Sequence, residues 1–182
     1  KWVKQICGNQ HSYQQMNELA NTVSIGSNGL YMLPFGNGAE RMLENKIVNS
    51  HLHNINLNLH TTAHLYRAAQ EGIAFAFKYG LEIMKHNGMN ASVIRAGKAN
   101  MFLSNVFTQS FVNATGVPVE LHNCDGSVGA AIGAGIGAKI YANEAEAFSK
   151  TKALEIVQPT QTSLYNDLYQ GWKKQLQQQL AL

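Results

Sequence analysis

The chain has 182 residues, 45% of them hydrophobic, which fits one globular domain able to bury roughly 70% of its unfolded surface. Its 14 basic and 11 acidic side chains leave a net charge of only +3, too weak and too scattered for a nucleic-acid footprint. The longest small and apolar run, Val128 to Ala138, is far short of the about 20 residues a membrane-spanning helix needs, so a soluble protein without membrane contact is expected. Cys7 and Cys124 stand far apart and outside any metal spacing, which argues against a disulfide framework and for a reducing cytoplasm. No secretory leader is visible at Lys1, and a first residue other than Met makes a processed product or a piece of a longer protein the expectation.

Along the chain, Ser12 to Val23 reads as a helix ending before the turn Gly26-Ser27-Asn28-Gly29. Leu30 to Leu33 reads as a buried strand stopped by Pro34 and the loop Gly36-Asn37-Gly38. His51 to Leu59 alternates at period two and predicts a strand whose apolar face begins at Ile55. The strongest helix follows, capped by Thr61 or Thr62. Its stripe runs through Leu65, Ala69, Ile73, Ala76, Phe77 and Met84 until Asn87-Gly88 ends it. Ser92-Val93-Ile94 predicts a short strand, Leu103 to Ala114 a helix closed by Gly116, and Val117 to Leu121 another strand. Ser127 caps a Gly- and Ala-rich helix reaching about Tyr141, and a last helix covers about Ser163 to Gln179. Strands, a long helix and then repeated strand–helix units make an α/β arrangement.

Two stretches sit where an open α/β sheet binds ligands, beyond the carboxyl ends of strands. Gly97-Lys98-Ala99-Asn100-Met101 is one, with Asn100 a donor and acceptor and Met101 a soft apolar wall. Gly126 and Ser127 are the other, at the mouth of a helix whose backbone could approach a nucleotide. Gly133 to Gly137 read better as small residues that let this helix lie against its neighbours. Neither a Walker spacing nor a dinucleotide fingerprint is present. His51 and His53 on one strand face, with His60 and His64 on one helix face, could meet around zinc. Exposed or hydrogen-bonded histidines are the default. Glu40 and Arg41 read as a solvated ion pair and Asp125 as a helix cap. No Ser-His-Asp or Cys-His arrangement and no paired carboxylates stand out.

Three stretches carry a resemblance. Ser50, Leu52, Asn54 and Ile55, then His64, Leu65, Ala68, Ala69, Gln70 and Glu71, follow one family signature, departing at Asn54, where Gly is usual, and at Gln70, where an apolar residue is usual. Leu33-Pro34-Phe35-Gly36-Asn37-Gly38-Ala39-Glu40-Arg41 looks like a Leu-Pro-Tyr-x-x-Gly-Glu-Arg loop with Ala39 inserted. Gly116 to Glu120 and Gly126 to Ala131 match a last strand and its following helix. In order and spacing, roughly Ser27 to Tyr141 resembles the C-terminal domain of the FGGY carbohydrate kinases, nearest their xylulokinase-like branch.

The resemblance implies an actin-like ATPase domain with a ribonuclease-H-type core, a central sheet flanked by helices. Residues 1–182 would form one domain, the nucleotide-side half of a two-domain sugar kinase. It further implies an adenosine pocket holding ATP or ADP with magnesium, built here from Asn100, Met101, Ser104, Gly126, Ser127 and Gly129. The family's Gly-Gly-Gly-Ala-x-Ser adenosine loop aligns with Ala99 to Ser104, where only Ser104 matches. The catalytic aspartate, the phosphate loops and most sugar contacts would lie in the N-terminal half, so no catalytic residue is expected in this chain. The implied parent reaction is ATP-dependent phosphorylation of D-xylulose to D-xylulose 5-phosphate. Ribulose, rhamnulose, gluconate or glycerol kinases remain open alternatives, as does a non-catalytic binding or assembly module on the same fold. Separated from its partner half, the chain would expose a cleft wall and could form a homodimer through it.

Overall fold

The computed structural model describes residues 1–149 and 152–182. The described elements run in chain order as α1 (Trp2–Ile6), α2 (Tyr13–Asn21), β1 (Tyr31–Phe35), β2 (Asn49–His53), α3 (Thr62–His86), β3 (Ile94–Gly97), α4 (Asn105–Thr115), β4 (Val119–His122), α5 (Gly126–Gly137), α6 (Glu144–Phe148), β5 (Ala153–Val157) and α7 (Thr162–Leu180). Short 3-10 turns cover Ser27–Gly29, Arg41–Leu43 and Asn100–Leu103.

The described strands form two sheets rather than one. β1 and β2 pair antiparallel, while β4 lies between a parallel β3 and an antiparallel β5. β1 continues through Pro34, opposite Ser50, to Phe35; the Ser50 hydroxyl donates to the Leu33 carbonyl at 2.9 Å. Pro34 is tolerated because a two-stranded ribbon leaves each strand a free edge where no donor is required. β2 stops at His53, earlier than the alternation predicts, because Asn54 turns to a φ of 64°. Ile55, Leu57 and Leu59 therefore lie exposed in a turn instead of forming an apolar strand face.

α3 organises the interior. Thr61 caps it, and the helix buries residues on more than one side because it separates two apolar clusters. Phe75 packs with Leu33 and Phe35 of β1 and with Tyr165, Tyr169 and Trp172 of α7. Ala74 packs with Phe107, Phe111 and Val112 of α4 and with Val119, Leu121 and Val157 of the three-stranded sheet. Gly72 allows α3 to lie directly on the Met32 carbonyl, where a Cβ would collide. Trp172 Nε1 donates to that same carbonyl at 2.8 Å, tying α7 to the β1 backbone.

A buried ion pair anchors the turn after α2. Arg67 Nε meets Glu71 Oε1 at 2.7 Å, and the Arg67 guanidinium also reaches the carbonyls of Ala20 and Val23. Glu71 accepts from the Gly26 amide at 2.9 Å and from the Ser27 hydroxyl at 3.0 Å. Burial pushes its carboxyl above the usual range, against the pull of Arg67, the Gly26 N–H and Ser27. Among the described residues no helix is long and apolar enough to cross a membrane, and both cysteines are free.

Candidate functional site

The carboxyl ends of β3 and β4 open into a cleft of about 830 Å³, within the size range of small-molecule sites. Parallel pairing places Gly97 opposite His122, so two chain turns leave the sheet side by side. On one side the Lys98 amide donates to the His122 carbonyl at 2.8 Å, and the chain enters the turn Asn100–Leu103. On the other, Asn123 to Asp125 lead into α5. Gly97 is required where these turns touch, since an added Cβ would fall on the Cys124 carbonyl oxygen.

The N-terminus of α5 forms one rim. Asp125 caps it, accepting from the Ser127 amide at 2.9 Å and from the Ser127 hydroxyl. These hydrogen bonds from the Ser127 side chain and backbone hold the Asp125 carboxyl below its usual range. Gly126 and Gly129 line the cleft with open space where side chains would stand. The opposite wall is aromatic: Phe77 of α3, Phe102 and Phe107, the last two packed edge to face at 5.2 Å. Arg95 sits at the margin with its guanidinium 4.8 Å over the Phe148 ring and its Nε 2.9 Å from Glu120.

Four of the six residues singled out from the sequence converge here: Asn100, Met101, Gly126 and Gly129. Ser104 and Ser127 do not line the cleft. Ser104 is buried, caps α4 and donates to Gln70 Oε1 at 2.6 Å; it borders a second hollow behind the Asn100–Met101 turn. Ser127 is committed to Asp125. Phe77, Arg95 and His122 escaped the sequence reading. Phe77 falls on the periodic stripe of α3 and counted there as core, yet it is 54% exposed and faces the cleft. His122 carried one signal, its place at the end of a strand.

The glycines of α5 also differ from expectation. Only Gly135 is buried, against the Tyr141 ring, while Gly133 and Gly137 face open space. Of the four histidines His51, His53, His60 and His64, three find ordinary partners, while His53 stacks on His51 with its Nε2 buried and not hydrogen-bonded. His51 bonds the Val48 carbonyl, His60 the Asn28 carbonyl, and His64 the Asn28 amide and Thr61. Among the described residues no group of three or more His, Cys, Asp or Glu could hold a metal ion.

The family model for the FGGY family of carbohydrate kinases, C-terminal domain, matches residues 2–138. The chain belongs to that family. An FGGY relative, the xylulose kinase of Haemophilus influenzae, is 33% identical over 82 residues, which are 45% of this chain and 16% of that protein. The L-xylulose/3-keto-L-gulonate kinase of Escherichia coli is 29% identical over 140 residues, covering 75% of this chain and 27% of that protein. Among solved structures, the ligand-bound xylulose kinase from Lactobacillus acidophilus superposes with a TM-score of 0.80 at 20% identity, over 99% of this chain and 37% of that one. The likeness establishes the actin-like ATPase fold of the FGGY kinases. The chain thus spans about a quarter or less of its curated relatives and 37% of that kinase structure.

Positions where the resemblance implies other residues have physical reasons for what they hold. Asn54 and Asn100 stand at φ of 64° and 51°, the left-handed region that Asn tolerates better than other side chains. Gln70 accepts from the Ser104 hydroxyl.

Proposed function

We propose that this chain is the nucleotide-side half of a two-domain, ATP-dependent sugar kinase whose substrate is D-xylulose and whose product is D-xylulose 5-phosphate. The observation that carries this reading is the shared cleft: Asn100 and Met101 face Gly126 and Gly129 around open space at the carboxyl ends of two parallel strands. A non-catalytic module that had filled its pocket with the larger Asn100 and Met101 side chains would have no such opening.

In this reading the aromatic wall takes the flat face of adenine, and the α5 N-terminus lies toward the polar end of the nucleotide. Magnesium would offset charge on the nucleotide phosphates. The described residues offer it no cage, and no step of this chain's chemistry runs through it. Phosphoryl transfer depends mainly on positioning and charge stabilisation, and the base that takes the sugar proton belongs to the other half. This half orients the adenosine and moves as a rigid body on closure, which excludes water from the transfer. Alone it lacks in-line alignment, an effect on the order of 7–11 kcal/mol, and it lacks the base as well. Sugar choice rests with residues outside this chain, which keeps ribulose, rhamnulose, gluconate and glycerol as alternatives.

A coupled assay of ADP release tests the proposal. The purified chain should turn over no D-xylulose, and a protein that joins it to an FGGY N-terminal half should. Robust pentulose phosphorylation by the chain alone would overturn the division of labour. A joined, folded protein that phosphorylates none of the named sugars would overturn the kinase reading.

A further inference from the structure

His122 ends β4 with its side chain 10% exposed, and its Nε2 is shut off from solvent without a hydrogen-bond partner. Glu120 Oε2 is 3.5 Å away, makes no hydrogen bond to it, and is held by Arg95 Nε at 2.9 Å. Buried polar atoms are paired as a rule; among the described residues His53 Nε2 shares this condition, but only His122 does so at the cleft. Two features point to a ligand as the missing partner. The imidazole lines the cleft. The cleft also receives the N-terminus of α5, a helix of 12 residues, so a polar ligand meets two kinds of polar group at once.

We propose that His122 is a ligand-contacting residue of this cleft, its Nε2 taking its missing hydrogen bond from the nucleoside portion of a bound adenine nucleotide. The proposal rests on the nucleotide reading of the cleft. An imidazole offers one ring nitrogen as donor and the other as acceptor, and both the purine edge and the ribose hydroxyls match either role. A small turn of the ring brings Nε2 to the cleft surface as the ligand seats, the kind of side-chain adjustment common on binding. The cost of leaving Nε2 unpaired is then recovered when nucleotide enters.

Calorimetric titration of ADP into the chain, with His122→Phe and His122→Gln alongside, tests this. His122→Phe should weaken ADP by about tenfold, the worth of one hydrogen bond at a buried site. Its melting temperature should hold or rise, because an apolar ring removes an unpaired polar atom. His122→Gln, which keeps a donor and an acceptor, should recover most of the affinity. Equal ADP affinity in wild type and both variants would leave the cleft reading standing and remove His122 from it. A His122→Phe chain that loses stability together with affinity, with no rescue by Gln, would make the ring a structural partner of Glu120 and overturn the assignment. A wild-type chain with no saturable ADP binding at millimolar concentration would overturn the cleft reading and this assignment together.

Discussion

Asn100 turns the chain at the cleft rim with a φ of 51°, a conformation whose cost falls on the backbone rather than on any contact. Asn100→Gly should therefore leave the fold intact. Asn100→Val, β-branched and poorly suited to that region, should cost about 1–3 kcal/mol in chemical denaturation. Gly97 makes the opposite case. Its φ is ordinary, but the Cys124 carbonyl oxygen occupies the space of a Cβ. Gly97→Ala should destabilise by about 1–3 kcal/mol, because backbone must move to admit the methyl group. Equal denaturation midpoints for Gly97→Ala and wild type would show that the two turns do not touch as described. The left-handed asparagines were legible in the sequence only as departures from a glycine pattern. Their conformational reason needed the dihedral angles.

At the scale of elements, α3 and α5 set the geometry. α3 pins the Gly26–Ser27 turn through Arg67 and Glu71, a pair with almost no solvent around it. Arg67→Ala strips the partner from a buried carboxylate and should cost about 3–5 kcal/mol, read from the denaturation midpoint. The α5 cap responds to pH. Asp125 has a depressed carboxyl pKa in the folded chain, so its contribution is present above the unfolded value of about 3.9 and is lost as pH falls through the folded value. Protection of the Ser127 amide against exchange should persist to below about pH 4 and then fade. In Asp125→Ala that protection should be absent at every pH.

The longer helices were legible because their apolar period is long and their caps are explicit, Thr61 before α3 and Gly116 after α4, whereas the five-residue α1 and α6 are too short to show a period and were missed. β5 was missed for a physical reason. Among the described residues it pairs only with β4, and Leu154 and Ile156 are more than half exposed, so no buried face marks it in the sequence. β2 was overextended because alternation continues past Asn54, where a single dihedral ends the strand.

At the scale of the whole molecule, α3 divides the interior into a β1–α7 side and a cleft side. The first is rich in aromatic rings, with Phe75 within about 6 Å of both Tyr169 and Trp172. Trp172→Ala should cost about 3–5 kcal/mol and leave the Met32 carbonyl without its indole donor. The cleft side is where the sequence reading reached furthest and stopped. It found the two turns that flank the opening, since glycines and polar residues after strands mark them. It could not find the wall, because Phe77 obeys the same periodicity whether it meets a core or a ligand.

The most direct test of the account is calorimetric titration of magnesium-ADP into the chain and into Gly126→Phe. Gly126 has open space around it, so a ring placed there should block the cleft without disturbing the fold. Saturable binding is expected from the wild type, lost in a Gly126→Phe chain that melts as the wild type does. Binding that survives the substitution would move the nucleotide away from this cleft. No binding by the wild type at millimolar nucleotide would contradict the claim that this chain carries the adenosine side of a kinase.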